Sequence, residues 1–235
     1  MTNEFSLLLL TTVLVAFTHT LTGPDHYLPF IVISKAKKWS FAKTLWFTTL
    51  CGLGHVGSSV LLGLIGIAFG IAVGKLNFFE AIRGSIISWI FTAFGFIYMI
   101  WGIWRITRNK PHKHLHIHSD EITHEHEHTH LEEQHVHIHE QANITPWILF
   151  IIFVFGPCEP LIPIVMYPAA KNNYTEMIIV TIVFSLITIL TMLTVVFIAL
   201  KGINLLPMKS MEKYTHVLAG GTIFLCGLGM LFLGL

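Results

Sequence analysis

Six apolar runs divide the chain, near Phe5–Leu21, Thr44–Val73, Ile86–Ile106, Trp147–Tyr167, Met177–Leu200 and Thr215–Leu235. Each is long enough for a helix to cross a hydrocarbon core of roughly 30 Å. No water reaches backbone groups at that depth, so each run must close its hydrogen bonds within itself, as a helix. Of the 235 residues, 54% are hydrophobic and 11% charged, against roughly 25% charged in an ordinary soluble domain. Trp39, Trp46, Trp89, Trp101, Trp104 and Trp147 all fall within a few residues of a run end, where the membrane interface favours indole rings. The first run carries Glu4 rather than a basic flank and no small-residue cleavage site follows it, so a retained helix is expected rather than a removed signal. A net charge of +1 argues against nucleic acid as a partner, and leaves the lipid bilayer as the medium the chain is made for.

Within these runs one device occurs twice. Gly23-Pro24-Asp25-His26, preceded by His19, recurs 133 residues later as Gly156-Pro157-Cys158-Glu159. Proline removes a backbone donor and breaks the helix, and a carboxylate follows each break, Asp25 just past the first run and Glu159 inside the fourth. Gly95 and Gly102 match Gly227 and Gly234 in the same way: 72 residues separate Gly23 from Gly95, and 71 separate Gly156 from Gly227. Three helices per copy is an odd number, so the second copy must enter the membrane in the opposite sense. The expected fold is all-α and polytopic: six transmembrane helices as two inverted three-helix repeats, 1–106 and 146–235, joined by a linker at 107–145.

Ionisable side chains at membrane depth are costly and mark candidate sites. His19, Asp25, His26, Cys158 and Glu159 converge by symmetry on the middle of the fold, and His55, among the small residues Gly52, Gly54 and Gly57, is expected to join them. Imidazole, thiolate and carboxylate together suit a borderline transition-metal cation. The plainer alternatives are that Gly-Pro only kinks two packed helices, and that His55 is an interhelical hydrogen-bonding group. His216 reads as an interfacial residue, Cys51 and Cys226 as buried small hydrophobes, and Gly63, Gly66, Gly70 and Gly74 as a packing stripe. No phosphate-binding Gly-rich loop with Lys is present, so no ATPase is carried in the chain.

The linker is of different material. His112, His114, His116, His118, His124, His126, His128, His130, His135, His137 and His139 lie within 28 residues, interspersed with six acids. With so little apolar content it is expected to be disordered without metal, and its imidazoles to capture or deliver metal ions. Of the 14 Lys and Arg residues, eleven fall on one side of the expected topology and three, Lys75, Arg83 and Lys171, on the other. That bias places the linker in the cytoplasm and both termini outside, in the cell (inner) membrane.

These residues carry a resemblance. His19-Thr-Leu-Thr-Gly-Pro-Asp25-His26 resembles the first-helix signature of the nickel/cobalt transporter superfamily, in its urease-accessory-type branch, and Leu53-Gly54-His55 is similar to a second motif there. The resemblance implies metal recognition by His19, Asp25, His26 and His55. Gly156-Pro157-Cys158-Glu159-Pro160-Leu161-Ile162-Pro163 is instead similar to the Pro-Cys helix of the thiol-disulfide electron carriers of cytochrome c maturation, which belong to the same lysine-exporter-like group. Those carriers need a cysteine in each repeat, and here Asp25 stands where the second would be. The expected function is a secondary permease for a divalent transition metal, nickel or cobalt before zinc, rather than an enzyme. It has no catalytic residue and no permanently bound cofactor, and proton coupling and homo-oligomerisation are open to it. The alternatives are a thiol-disulfide electron carrier and an exporter of a sulfite-type anion.

Overall fold

The computed structural model describes residues 3–108, 112–117, 123–128, 144–204 and 213–233. The membrane part is all-α, as the apolar runs require. Helix α1 (Asn3–Thr22) ends at Gly23, a 3-10 turn over Pro24–His26 follows, and α2 (Leu28–Ala36) resumes. Helices α3 (Phe41–Ala68) and α4 (Val73–Arg108) complete the first half. The second half repeats the order: α5 (Ile144–Phe155), a break, α6 (Leu161–Ala170), α7 (Tyr174–Asn204) and α8 (Thr215–Leu233). Five of these, α1, α3, α4, α7 and α8, are long and apolar enough to cross a membrane. The run expected as one helix over Trp147–Tyr167 is instead the pair α5 and α6, because Pro157 and Pro160 deny the ladder its donors.

The repeat extends to details of backbone. Lys38 (φ 51°) and Asn172 (φ 55°) are the positive-φ non-glycine residues among those described, and they end α2 and α6 at equivalent places. Trp39 N–H donates to Ser34 O at 2.8 Å and Asn173 N–H to Pro168 O at 3.0 Å, so both half-helices close with the same six-to-one bond. Packing obeys the symmetry too. α1 packs on α7, and its counterpart α5 packs on α3.

The two halves meet most extensively along α4 and α8. A Cβ on Gly95 would lie 2.3 Å from Phe224 N, and one on Gly102 would lie 2.8 Å from Val217 N; one on Gly220 would lie 2.3 Å from Met99 N, and one on Gly227 2.8 Å from Thr92 N. Residue numbers rise along α4 as they fall along α8, so these two equivalent helices cross antiparallel, as an inverted repeat demands. Glycine lets their backbones touch, and in lipid such close packing replaces the hydrophobic drive that soluble helices use. Gly234, expected to match Gly102, lies outside the described residues. A tie at one end of the bundle joins α1 to α6: Lys171 Nζ donates to Glu4 and, at 3.0 Å, to Tyr167 OH. Its bonds to Glu4 and Tyr167 hold the ammonium above its ordinary range.

Two element boundaries differ usefully from expectation. α4 begins at Val73, not near Ile86, and so takes Glu80 and Arg83 into the helix. Hydropathy ended the run at these charges, but at i,i+3 they neutralise each other across one turn. In the linker, β1 (His112–Ile117) and β2 (Thr123–His128) pair antiparallel, with His112 opposite His128, His114 opposite His126 and His116 opposite His124. Strict alternation is a strand period as well as a mark of low complexity. His118, His130, His135, His137 and His139 lie outside the described residues.

Candidate functional site

The first break builds one wall of a cavity. α1 delivers His19 on its last turn, where Gly23 N–H still reaches His19 O at 3.1 Å. Pro24 offers no donor, and the chain tightens into the 3-10 turn that carries Asp25 and His26 inward. His26 Nδ1 lies 3.1 Å from Gly23 O and 3.2 Å from Asp25 Oδ1. Both neighbours are acceptors, so Nδ1 bears the proton and Nε2 is left with its lone pair. Only glycine fits at position 23, where a Cβ would lie 2.5 Å from His26 Nδ1 and 2.9 Å from Asp25 Oδ1.

His55 comes from the middle of α3. The ring centroids of His19 and His26 are 4.9 Å apart and those of His26 and His55 are 5.0 Å apart, both pairs edge to face. One nitrogen from each of the three rings lies within 4.8 Å of the others. The Nε2 atoms of His19, His26 and His55 are all buried and all without a hydrogen-bond partner.

The second break is held differently. Arg83 donates to Ser59 Oγ at 2.7 Å and to Gly156 O at 3.2 Å, and Glu80 Oε2 pairs with the same guanidinium at 2.7 Å. Ser59 Oγ accepts in turn from Cys158 N–H at 3.2 Å, and Gly84 leaves room for the Pro157 ring. This network satisfies carbonyl and amide groups that the proline break leaves without helical partners. Glu80 is fully buried, which makes its pairing with Arg83 essential. Reading by hydropathy missed Glu80, Arg83 and Ser59; the available signal was an acid and a base three residues apart beside an apolar run.

Between the two breaks lies a cavity of about 460 Å³. His19, Asp25, His26 and His55 line it from the first half, and Gly156, Pro157 and Glu159 from the second. The structure therefore assembles most of the expected set, with two corrections. Asp25 grips His26 from behind, by hydrogen bonding, and is not a fourth equivalent donor beside the imidazoles. Cys158 does not line the cavity: it is fully buried and packs among Val56, Leu161, Val180 and Phe184. A helix turning at a proline sends successive side chains to different faces, so Glu159 enters the cavity and Cys158 faces away. Cys51 and Cys226 are free and sit in two other apolar clusters, as ordinary buried residues. His216 lies at the start of α8, where Arg105 donates to its Nε2 at 3.0 Å and its Nδ1 is 2.9 Å from the Tyr98 hydroxyl.

Residues 28–229 match the family described as cytochrome C biogenesis protein transmembrane region. No curated protein and no solved structure matches the chain. The match spans most of both halves and overturns the resemblance to the nickel/cobalt transporter superfamily. With that resemblance goes the expected function as a permease for nickel, cobalt or zinc. The likeness of Gly156–Pro163 to the thiol-disulfide carriers is the one with which the match agrees. His19, Asp25 and His26 precede the matched region.

Proposed function

We propose, because the chain belongs to the family of cytochrome C biogenesis protein transmembrane regions, that it is a membrane-embedded relay of thiol-disulfide electron transfer serving cytochrome c biogenesis, with Cys158 as its reactive sulfur. The observation that carries this reading is the family match across both halves, which includes the broken helix bearing Cys158.

Thiol-disulfide exchange proceeds by attack of a thiolate on a disulfide. The three cysteines are free and lie in three separate apolar clusters, so Cys158 works as a single thiol. Its sulfur attacks a partner disulfide, forming one mixed S–S bond and releasing one partner thiolate. A thiol of a reduced donor then attacks the Cys158 sulfur, freeing the partner's second thiol and transferring the mixed disulfide to the donor. A second donor thiol displaces Cys158, leaving an oxidised donor, a reduced partner and an unchanged relay. Two electrons have passed, and the protein is a carrier rather than an enzyme with a substrate of its own.

Access to Cys158 comes at the break. The Gly156-Pro157 and Pro160 interruptions leave Cys158 between two short helices, where Ser59 Oγ holds its amide, Leu161 N–H donates to its carbonyl and Arg83 donates to Gly156 O. In this reading the protein lies in the cell (inner) membrane with termini outside and the linker in the cytoplasm, in keeping with the eleven-to-three distribution of Lys and Arg.

Acid quenching of membranes, followed by a mass-tagging thiol reagent, reads the redox state of Cys158 in a Cys51→Ala, Cys226→Ala background. The expected result is a mixed disulfide at Cys158 when donor thiol is limiting, and loss of mature cytochrome c in Cys158→Ser. A Cys158 that stays a free thiol throughout, with full cytochrome c yield in Cys158→Ser, overturns the proposal.

A further inference from the structure

We propose that His19, His26 and His55 form a resident site for one borderline transition-metal ion, of the zinc, copper or nickel class, with Asp25 as the positioning residue for His26. The site is distinct from the Cys158 relay and does not depend on it, since Cys158 faces away from the cavity.

Three observations carry the assignment. One nitrogen from each ring lies within 4.8 Å of the other two. Metal–nitrogen bonds of about 2.0–2.1 Å place two ligands of a tetrahedral ion roughly 3.3 Å apart, so small rotations of the rings close them on a shared centre. Second, the Nε2 atoms of all three histidines are buried and bonded to nothing. A buried polar atom left unsatisfied is costly, and one ion held among three rings that line the same cavity would satisfy all three. The three Nε2 atoms do not satisfy one another either, since none has a hydrogen-bond partner of any kind.

Third, the tautomer of His26 is fixed by what lies behind it. Gly23 O at 3.1 Å and Asp25 Oδ1 at 3.2 Å both accept from Nδ1, so Nε2, buried and without a partner, keeps its lone pair free for a metal ion. A carboxylate behind a ligating imidazole is the arrangement that orients metal-bound histidines and raises their basicity.

The donor set selects the ion. Three imidazoles suit zinc, copper and nickel, whereas magnesium and calcium require oxygen ligands. The carboxylates of Asp25, behind His26, and of Glu159, across the cavity, offset the charge of a divalent ion in a setting where uncompensated charge is costly. Three protein ligands leave one coordination position facing the cavity.

The test uses the full-length protein in detergent, stripped with chelator and titrated with cobalt(II) and zinc(II). Linker histidines also take up metal, so each measurement is a difference between variants with identical linkers. Wild type is expected to retain one tight equivalent more than His26→Ala and to show a four-coordinate cobalt absorption band that His26→Ala lacks. Zinc is expected to raise the melting temperature of wild type more than that of the variant. Asp25→Asn should bind about 10–100-fold more weakly yet recover the same band at saturation. His55→Gln supplies the comparison should His26→Ala fail to fold. Cys158→Ser should bind as wild type does, which separates this proposal from the relay: loss of redox function in Cys158→Ser with metal binding intact leaves both standing. Equal metal content and equal spectra in wild type, His26→Ala and His55→Gln overturn the site, and unchanged affinity in Asp25→Asn overturns the positioning role.

Discussion

The contact between α4 and α8 makes a quantitative demand on one glycine. A Cβ placed on Gly220 would lie 2.3 Å from Met99 N and 2.5 Å from Met99 Cα. Ordinary contact begins near 3.4 Å, so Gly220→Ala must part the two helices by about 1 Å. Overpacking of this kind typically costs about 1–3 kcal/mol. The upper end applies here, because the opposing atoms are backbone and cannot rotate away. For a chain of this size about 3 kcal/mol corresponds to a fall of about 6–12 °C in melting temperature. Gly57→Ala, in mid α3, is the matched control: its Cβ would meet nothing within 4 Å, and alanine in place of glycine in a helix gains about 0.5–1 kcal/mol. The three cysteines are free and buried, so a dye that fluoresces on reaction with thiols reports unfolding in detergent without any added label. Gly220→Ala should melt well below wild type and Gly57→Ala at or slightly above it. Equal melting temperatures for the two variants would refute the close-packed α4–α8 contact.

Other outcomes follow from the same contacts. Arg83→Met leaves Glu80 fully buried without its partner, at a cost of about 3 kcal/mol, and the double variant Glu80→Gln, Arg83→Met should recover much of it in the same melting assay. Gly23→Ala would drive a methyl into His26 Nδ1 and Asp25 Oδ1; it should reduce cobalt(II) binding at the histidine site while leaving the redox state of Cys158 unchanged. Single cysteines at Thr129 and Asn172, in a variant with Cys51, Cys158 and Cys226 replaced by alanine, test the topology. From outside intact cells an impermeant thiol reagent should label position 172 and not position 129, and the reverse pattern would invert the assignment. Deletion of 112–139 removes linker residues only, so the melting temperature without metal should stay within about 2 °C of wild type, whereas a larger fall would show the linker bracing the bundle.

Much of this architecture is legible in the residues themselves. Apolar length sets the medium, because backbone groups in lipid have no partner except their own helix. Gly23-Pro24 and Gly156-Pro157 announce the two breaks, since proline cannot complete the ladder. The recurrence of those breaks announces the inverted repeat, and the structure bears this out at Lys38 and Asn172, where both half-helices end in the same left-handed turn. His19, His26 and His55 were legible as a group, because histidines at membrane depth are few and must face one another or a cavity.

The rest was decided in three dimensions. Sequence symmetry makes Cys158 and Glu159 equal candidates, but neighbouring residues past a proline turn face different ways, and only Glu159 lines the cavity. Asp25 and His26 read as equal donors until Nδ1 is seen held by Asp25 Oδ1 and Gly23 O, which turns the carboxylate into a support. Glu80 and Arg83 look like the polar end of a helix, because hydropathy weighs each residue alone and cannot see a charge neutralised by its partner. The assignment to nickel or cobalt failed for a related reason: it rested on residues 19–59, while the family match takes in most of both halves and begins after the first break. Local chemistry names what a few side chains can hold; membership of a family rests on the whole run of residues across both halves.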